Sequence, residues 1–248
     1  TRISALMAGV PETAMAATVN RVCISGMEAV ISSMAYIQSG FYDVALCGGM
    51  EHMSGITYSV PSARWGCRFQ DQVFVDDIVH ALFAGSRILP GLEQGPIKEG
   101  EIVERFRGKP YIMGITAELI AYKHGLTREE IDEVALRSHN NAERATVEGD
   151  FKEEIVPIEL PQKKGKPPKI FDKDEHFRPG LTMDELAKLP PAFISKIGKV
   201  TAGNSSGVND GAAAMVIMSA DKAKELGLKP IARIKAVGGG GCHPSVMG

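Results

Sequence analysis

A strand, a turn, a helix and a second strand are written into residues 16–47 of this chain. Residues 16–22 form an apolar run of β character. Met27, Val30, Ile31, Met34 and Ile37 then recur at three- and four-residue steps, the spacing of one face of a helix. Gly40 fits the position just beyond a helix C-terminus, and residues 43–47 read as a short buried strand followed by Gly48–Gly49–Met50–Glu51. Strand, helix and strand of these lengths form a βαβ unit. This predicts an α/β fold with a mainly parallel sheet flanked by helices.

Cys23 falls at the turn between the first strand and the helix. Free N–H groups and the positive end of the helix dipole gather there, and both favour the thiolate, which is the nucleophilic form. Ser25 and Gly26 follow and are small enough to admit a substrate. A free cysteine is also a common small apolar core residue. Position alone leaves both readings open.

The 248 residues suffice for one large α/β domain, or one domain with an insertion. A net charge of −2 gives no strong field for nucleic acid or an anionic membrane. No apolar run approaches the ~20 residues of a membrane-spanning helix. The start, at Thr1, has no signal-peptide pattern. Cys23, Cys47, Cys67 and Cys242 form no C-x-x-C pair and no zinc spacing with histidine, so a reducing, cytoplasmic setting is expected.

Residues 1–9 read as the end of a helix stopped by Gly9. From His52 to Lys109 no long period holds. This stretch is too long for a plain loop and reads as an inserted, partly helical segment, with residues 76–87 its best helix. Residues 111–124 form a further helix ending at Gly125. Thr127–Arg128–Glu129–Glu130 is a capping box opening another, to about Glu148, with Ile131, Val134, Ala135, Ser138, Ala142 and Ala145 facing inward. Residues 155–160 read as a strand and Pro161–Lys169 as an exposed basic loop. Thr182 caps a short helix, residues 212–218 are a buried strand, Ser219 caps another helix, and residues 231–237 read as a strand. Residues 200–211 hold no bulky side chain beyond two valines. That suits a ligand lying against backbone, or a tight turn packed on the sheet.

Together these segments resemble the thiolase family of acyl-CoA acyltransferases. The resemblance rests on Asn20–Arg21–Val22–Cys23–Ile24–Ser25–Gly26, on Gly48–Gly49–Met50–Glu51–His52–Met53–Ser54, on Tyr111–Ile112–Met113–Gly114–Ile115–Thr116–Ala117–Glu118, on residues 200–214 and on Val246–Met247–Gly248. It implies a thiolase-like α/β fold with an inserted helical loop domain. The division expected is a core part at 1–52 carrying the nucleophile, a CoA-binding loop domain at 53–199, and a return to the core at 200–248. By the resemblance Cys23 is the acyl-carrying nucleophile. Ala202 and Ser206 match positions touching the pantetheine arm, and Arg178, Ala192 and Phe193 match positions around the adenine and phosphates. Met113 and Met247 match the acyl end.

The implied reaction is Claisen condensation, or its thiolytic reverse, between acetyl-CoA and an acyl-CoA. It needs no metal or redox cofactor, and a homodimer or tetramer is implied. The chain stops before the family's Asn-Glu-Ala-Phe, Gly-His-Pro and Cys-Gly-Gly segments and lacks its first βα units, so the chain alone is expected to turn over poorly. Ile112 stands where many acetoacetyl-specific relatives carry histidine, and residues 61–109 differ from theirs. The rival reading is a non-catalytic CoA-binding or scaffold subunit completed by a partner chain. Ketoacyl synthases and hydroxymethylglutaryl-CoA synthases share the fold, but the Ser–Gly after the cysteine and the loop at 200–211 argue against both.

Overall fold

The structure is a computed structural model that describes residues 1–84, 111–163 and 165–248. Residues 85–110, which include the end of the helix expected at 76–87 and much of the inserted segment, lie outside the described residues, as does Lys164 of the basic loop. In chain order the elements are α1 (Arg2–Met7), α2 (Ser25–Gln38), β1 (Val44–His52), β2 (Tyr58–Ser59), β3 (Val75–Asp76), α3 (Asp77–Ala84), α4 (Met113–Lys123), α5 (Arg128–Glu148), β4 (Ile158–Leu160), β5 (Lys169–Phe171), α6 (Met183–Ala187), β6 (Asp210–Met218) and α7 (Ala220–Glu225). They fall into two compact units. The first takes residues 1–56 and 208–240, the second residues 57–207 and 241–248.

In the first unit β1 and β6 pair antiparallel along their full length, from Val44↔Met218 to His52↔Asp210. Side chains alternate across a strand. Cys47 is buried, while Leu46 and Met50 on the opposite face of β1 are exposed, as is Val216 opposite Leu46. Helix α2 packs on β1. The two backbones come close at Gly26 and Gly49, where a Cβ on Gly49 would stand 3.4 Å from Gly26 Cα. Small residues there let α2 lie directly on the strand.

Gly48 is tighter still, since a Cβ would meet Ala213 O at 2.5 Å. Gly48→Ala must push β6 away from β1, at an expected cost of about 1–3 kcal/mol. A fall in the urea midpoint at constant m-value is the expected result.

Two segments expected as strands are not strands. Residues 16–22 and 231–237 join no ladder; Arg21 makes only an isolated bridge to Cys23, and Val22 has a left-handed φ of +53°. The second is exposed throughout and the first nearly so, so water can satisfy their backbone groups. The parallel pairing that the βαβ reading expects between residues 16–22 and β1 is therefore not formed. The three ladders among the described residues are all antiparallel.

The second unit is built on α4 and α5. Helix α4 buries Ile115, Thr116, Glu118, Leu119 and Ala121. Ile115, Leu119 and Ile194 form a core cluster against which Tyr111, Ile112 and Phe193 pack. Helix α5 begins as its sequence predicts. Thr127 Oγ1 accepts the Glu130 N–H at 3.1 Å, and Glu130 Oε2 accepts the Thr127 N–H at 2.7 Å. It ends at Gly149, whose φ of +81° is a conformation glycine adopts without cost. Thr182 and Glu185 form the same reciprocal cap on α6. Strands β4 and β5 make a small hairpin, so Lys169, read as part of an exposed loop, opens a strand instead.

Candidate functional site

Cys23 lies two residues before α2 and is exposed, which removes the reading of it as a core thiol. The turn that presents it is strained. Val22 has φ +53°, a left-handed conformation that costs a β-branched residue roughly 1–3 kcal/mol. Hydrogen bonds from both flanks hold it there. Asn20 Oδ1 accepts the Val22 N–H at 3.0 Å. Ser25 Oγ accepts the Arg21 N–H at 2.8 Å and donates to Val22 O at 2.6 Å, and the Ser25 N–H donates to Val22 O at 3.1 Å. Arg21 also pairs with Glu28 at 2.7 Å, which holds the Glu28 carboxyl below its ordinary value.

At the far end of β1 a second polar knot closes the first unit's ladder. Asp210 Oδ1 accepts the Ser54 N–H at 2.9 Å, and Oδ2 accepts the Ser54 hydroxyl at 2.5 Å. His52 Nδ1 lies 3.2 Å from Asp210 Oδ2. The Ser54 bonds, with the His52 contact behind them, lower the Asp210 pKa from 3.8. A carboxyl depressed on folding stabilises the fold above its unfolded pKa. That contribution is lost as pH falls through the lower, folded pKa. The Asp210 carboxyl resonance is expected to titrate below the usual aspartate range, and Ser54→Ala to move its midpoint upward.

In the second unit, residues 199–206 form the most heavily buttressed segment of the candidate site. Glu118 on α4 is 5% exposed and takes the Lys199 N–H at 2.9 Å and the Val200 N–H at 2.9 Å. Asp132 on α5 is 1% exposed. Its two oxygens accept from Arg128 Nε at 2.6 Å and from Asn204 Nδ2 at 2.8 Å. Asn204 in turn accepts the Thr201 N–H at 2.7 Å and donates to Lys199 O at 2.9 Å. Ser205 Oγ donates to Thr201 O at 2.6 Å. A Cβ on Gly203 would meet the Leu186 and Leu189 side chains at 2.5 and 2.6 Å, so the segment needs glycine at that point. This is a packed turn in its buried part, yet it leaves Ala202 and Ser206 exposed.

The residues singled out in this unit fall into two groups. Ser206 lines an open groove of about 780 Å3 with His139, His176, Phe177 and the α5 residues Ile131, Val134 and Ala135. Arg178 is exposed beside that groove, and its N–H donates to His139 Nδ1 at 3.1 Å. The His139 ring stacks on His176 with centroids 6.2 Å apart, and its Nε2 faces Gly203 O at 3.4 Å. Nδ1 as acceptor leaves the His139 proton on Nε2.

The other group gathers around the start of α4. The Phe193 ring lies against Gly114, next to Met113, and Gly248, next to Met247, lies against Thr116. Met113 and Met247 are 46% and 53% exposed, so neither is a core residue. The Ala192 N–H donates to Val200 O at 2.8 Å, tying this group to the buttressed turn.

Cys242 and His243, adjacent near the end of the chain, make their polar contacts locally, while the His243 ring packs edge-on to Tyr111 with centroids 6.3 Å apart. Cys242 Sγ lies 3.9 Å from Val246 O, and His243 Nδ1 contacts Ser245 Oγ at 2.8 Å. Sequence reasoning passed over Glu118, Asp132 and His139. The first was detectable as a carboxylate inside the apolar face that Ile115 and Leu119 define. His139 follows Ala135 by one helical turn on the inner face of α5.

The sequence profile described as "Thiolase, N-terminal domain" matches residues 1–88 and 97–221. The chain belongs to the thiolase family. The acetyl-CoA acetyltransferase of Allochromatium vinosum is 44% identical over 247 residues, and that of Cupriavidus necator also 44%. Each alignment covers 100% of this thiolase chain and 57% of the relative. Among solved structures, human mitochondrial 3-ketoacyl-CoA thiolase matches with a TM-score of 0.84 at 36% identity, over 99% of this chain and 56% of that one. The acetyl-CoA acetyltransferase of Bacillus anthracis matches with a TM-score of 0.76 at 40% identity, over 92% of this chain and 52% of that one. The thiolase-like α/β fold expected from sequence is the fold these structures share, and the chain spans little more than half the length of the relatives it matches.

Among the described residues no group of His, Cys, Asp and Glu is placed to hold a metal ion, and no helix is long and apolar enough to cross a membrane.

Proposed function

We infer that the full-length protein is an acyl-CoA acyltransferase of thiolase type, acting as an acetyl-CoA C-acetyltransferase. The observation that carries this reading is Cys23, exposed on a strained turn at the N-terminus of α2 within a thiolase sequence. In the first step the Cys23 sulfur attacks the carbonyl carbon of an acyl-CoA thioester. A sulfur–carbon bond forms and the carbonyl oxygen takes negative charge. The bond to the CoA sulfur then breaks, and CoA leaves with the proton that the Cys23 thiol gave up. In the second step acetyl-CoA loses an α-proton to a base, and its enolate carbon attacks the acyl-cysteine. The product is a 3-oxoacyl-CoA and free Cys23. Both steps pass through an oxyanion that needs donors already in place, and the Cys23 N–H supplies one. No electron transfer occurs, so the chemistry requires no redox cofactor.

Ala202 and Ser206 are placed against the pantetheine arm in this reading. Arg178, Ala192 and Phe193 take the adenine and phosphates, Arg178 offering a planar donor set suited to phosphate oxygens. Met113 and Met247 line the acyl end. A homodimer or tetramer in a reducing, cytoplasmic setting completes the reading. The four cysteines are all free thiols, in keeping with that setting.

Mixing the full-length protein with acetyl-CoA should release a burst of CoA matching the amount of protein before steady turnover begins. A linear time course with no burst, at saturating acetyl-CoA, would count against a covalent first step.

A further inference from the structure

We propose that Ser25 is the positioning residue of the nucleophile turn: its hydroxyl locks Val22 in left-handed backbone and so fixes the direction of the Cys23 N–H. The proposal rests on the acyl-transfer reading above and names the side chain that sets one of its oxyanion donors.

The Ser25 hydroxyl bridges backbone groups of two consecutive residues. It takes the Arg21 N–H at 2.8 Å and gives its proton to Val22 O at 2.6 Å. Val22, with φ +53°, sits between those two contacts. A β-branched residue stays in that conformation only when its surroundings over-determine it. The Val22–Cys23 peptide is trans and planar, so its C=O and N–H point in opposite directions. Pinning Val22 O toward Ser25 therefore sends the Cys23 N–H the other way, outward from the turn.

Three other ties are present. The Ser25 N–H also donates to Val22 O, at 3.1 Å, and that bond persists in Ser25→Ala, but of the two Ser25 groups only the hydroxyl links that carbonyl to the Arg21 N–H across Val22. Asn20 Oδ1 holds the Val22 N–H, which belongs to the preceding peptide. The Arg21–Glu28 pair is part-exposed, and such pairs contribute little. Ser25 thus acts through backbone rather than on the thiol. Its loss should harm a reaction that develops an oxyanion more than one that does not.

The test uses the full-length protein and two reagents for Cys23. Acetyl-CoA acylates the sulfur through an oxyanion, whereas iodoacetamide forms a carbon–sulfur bond with loss of iodide and develops none. Ser25→Ala should slow acetylation of Cys23 about 10–100-fold, the scale of a misdirected donor. Alkylation by iodoacetamide should change by less than about threefold, because it follows the thiolate itself. Ser25→Thr, which keeps the hydroxyl, should acetylate near the wild-type rate. Adding Val22→Gly to Ser25→Ala should recover part of the loss, since glycine adopts positive φ freely.

Acetylation of Ser25→Ala at the wild-type rate would overturn the proposal, as would equal slowing by both reagents. Should Ser25→Ala fail to fold, Ser25→Thr decides: normal acetylation supports the proposal and slow acetylation overturns it. Absence of acetyl-Cys23 in the wild-type control removes the acyl-transfer reading and the Ser25 role with it, and shows before any variant is compared.

Discussion

Cys23→Ala is expected to lower kcat/KM of the full-length protein for acetyl-CoA by at least about 10⁴-fold, the scale on which removing a covalent nucleophile acts. The same variant should fold normally. Cys23 is exposed, so truncation leaves no buried cavity, and the turn's hydrogen bonds are made by Asn20, Arg21, Val22 and Ser25 rather than by the thiol. Its unfolding midpoint should stay within about 0.5 kcal/mol of wild type. A large loss of rate with an unchanged midpoint separates a chemical contribution from a structural one. Cys47→Ala supplies the contrast. Cys47 is 3% exposed in β1, so this variant should lose stability while keeping the nucleophile.

The largest expected loss of stability comes from Asp132→Ala. Asp132 joins Arg128, itself only 20% exposed, to Asn204 and through it to the 199–206 turn. Removing one partner of a buried, hydrogen-bonded ion pair leaves the other charge uncompensated, which costs about 3–5 kcal/mol. Arg128 keeps its bonds to the carbonyls of Leu186 and Leu189, so the low end of that range is expected. Asn204 loses its acceptor at the same time, and the turn carrying Ala202 and Ser206 should loosen. Asp132→Asn, which keeps an oxygen for Asn204 but not the charge for Arg128, should fall between Ala and wild type. Chemical unfolding followed by the helical far-UV signal checks both. A midpoint for Asp132→Ala equal to wild type would mean that the pair is not part of what holds this unit together.

The sequence was informative where local chemistry decides the outcome. Thr127 with Glu130 and Thr182 with Glu185 announced α5 and α6 because a capping box satisfies its own N–H groups within four residues. The turn at Cys23 was legible for a similar reason, since the apolar period of α2 fixes where the helix starts. Three things depended on distant partners. Residues 16–22 and 231–237 have strand-like composition, but a strand exists only with a paired edge, and composition does not say whether one is present. The β1–β6 ladder joins residues more than 150 positions apart in the opposite direction from a βαβ crossover. Asp132 is one acid among several in α5, and Glu118 stands out only as a carboxylate on the apolar face of α4; that the 199–206 turn lies on them comes from the fold alone. Family resemblance singled out Ser206, Ala202 and Arg178 as candidates, while the structure adds that the last of these is tied by its backbone to His139.

The most direct test of the account is peptide mapping by mass spectrometry after the full-length protein is exposed to acetyl-CoA and quenched in acid. One acetyl group per chain is expected, on Cys23, discharged by added CoA and absent from Cys23→Ala. Binding of acetyl-CoA with no adduct, or an adduct on Cys67 or Cys242 with Cys23 unmodified, would contradict it.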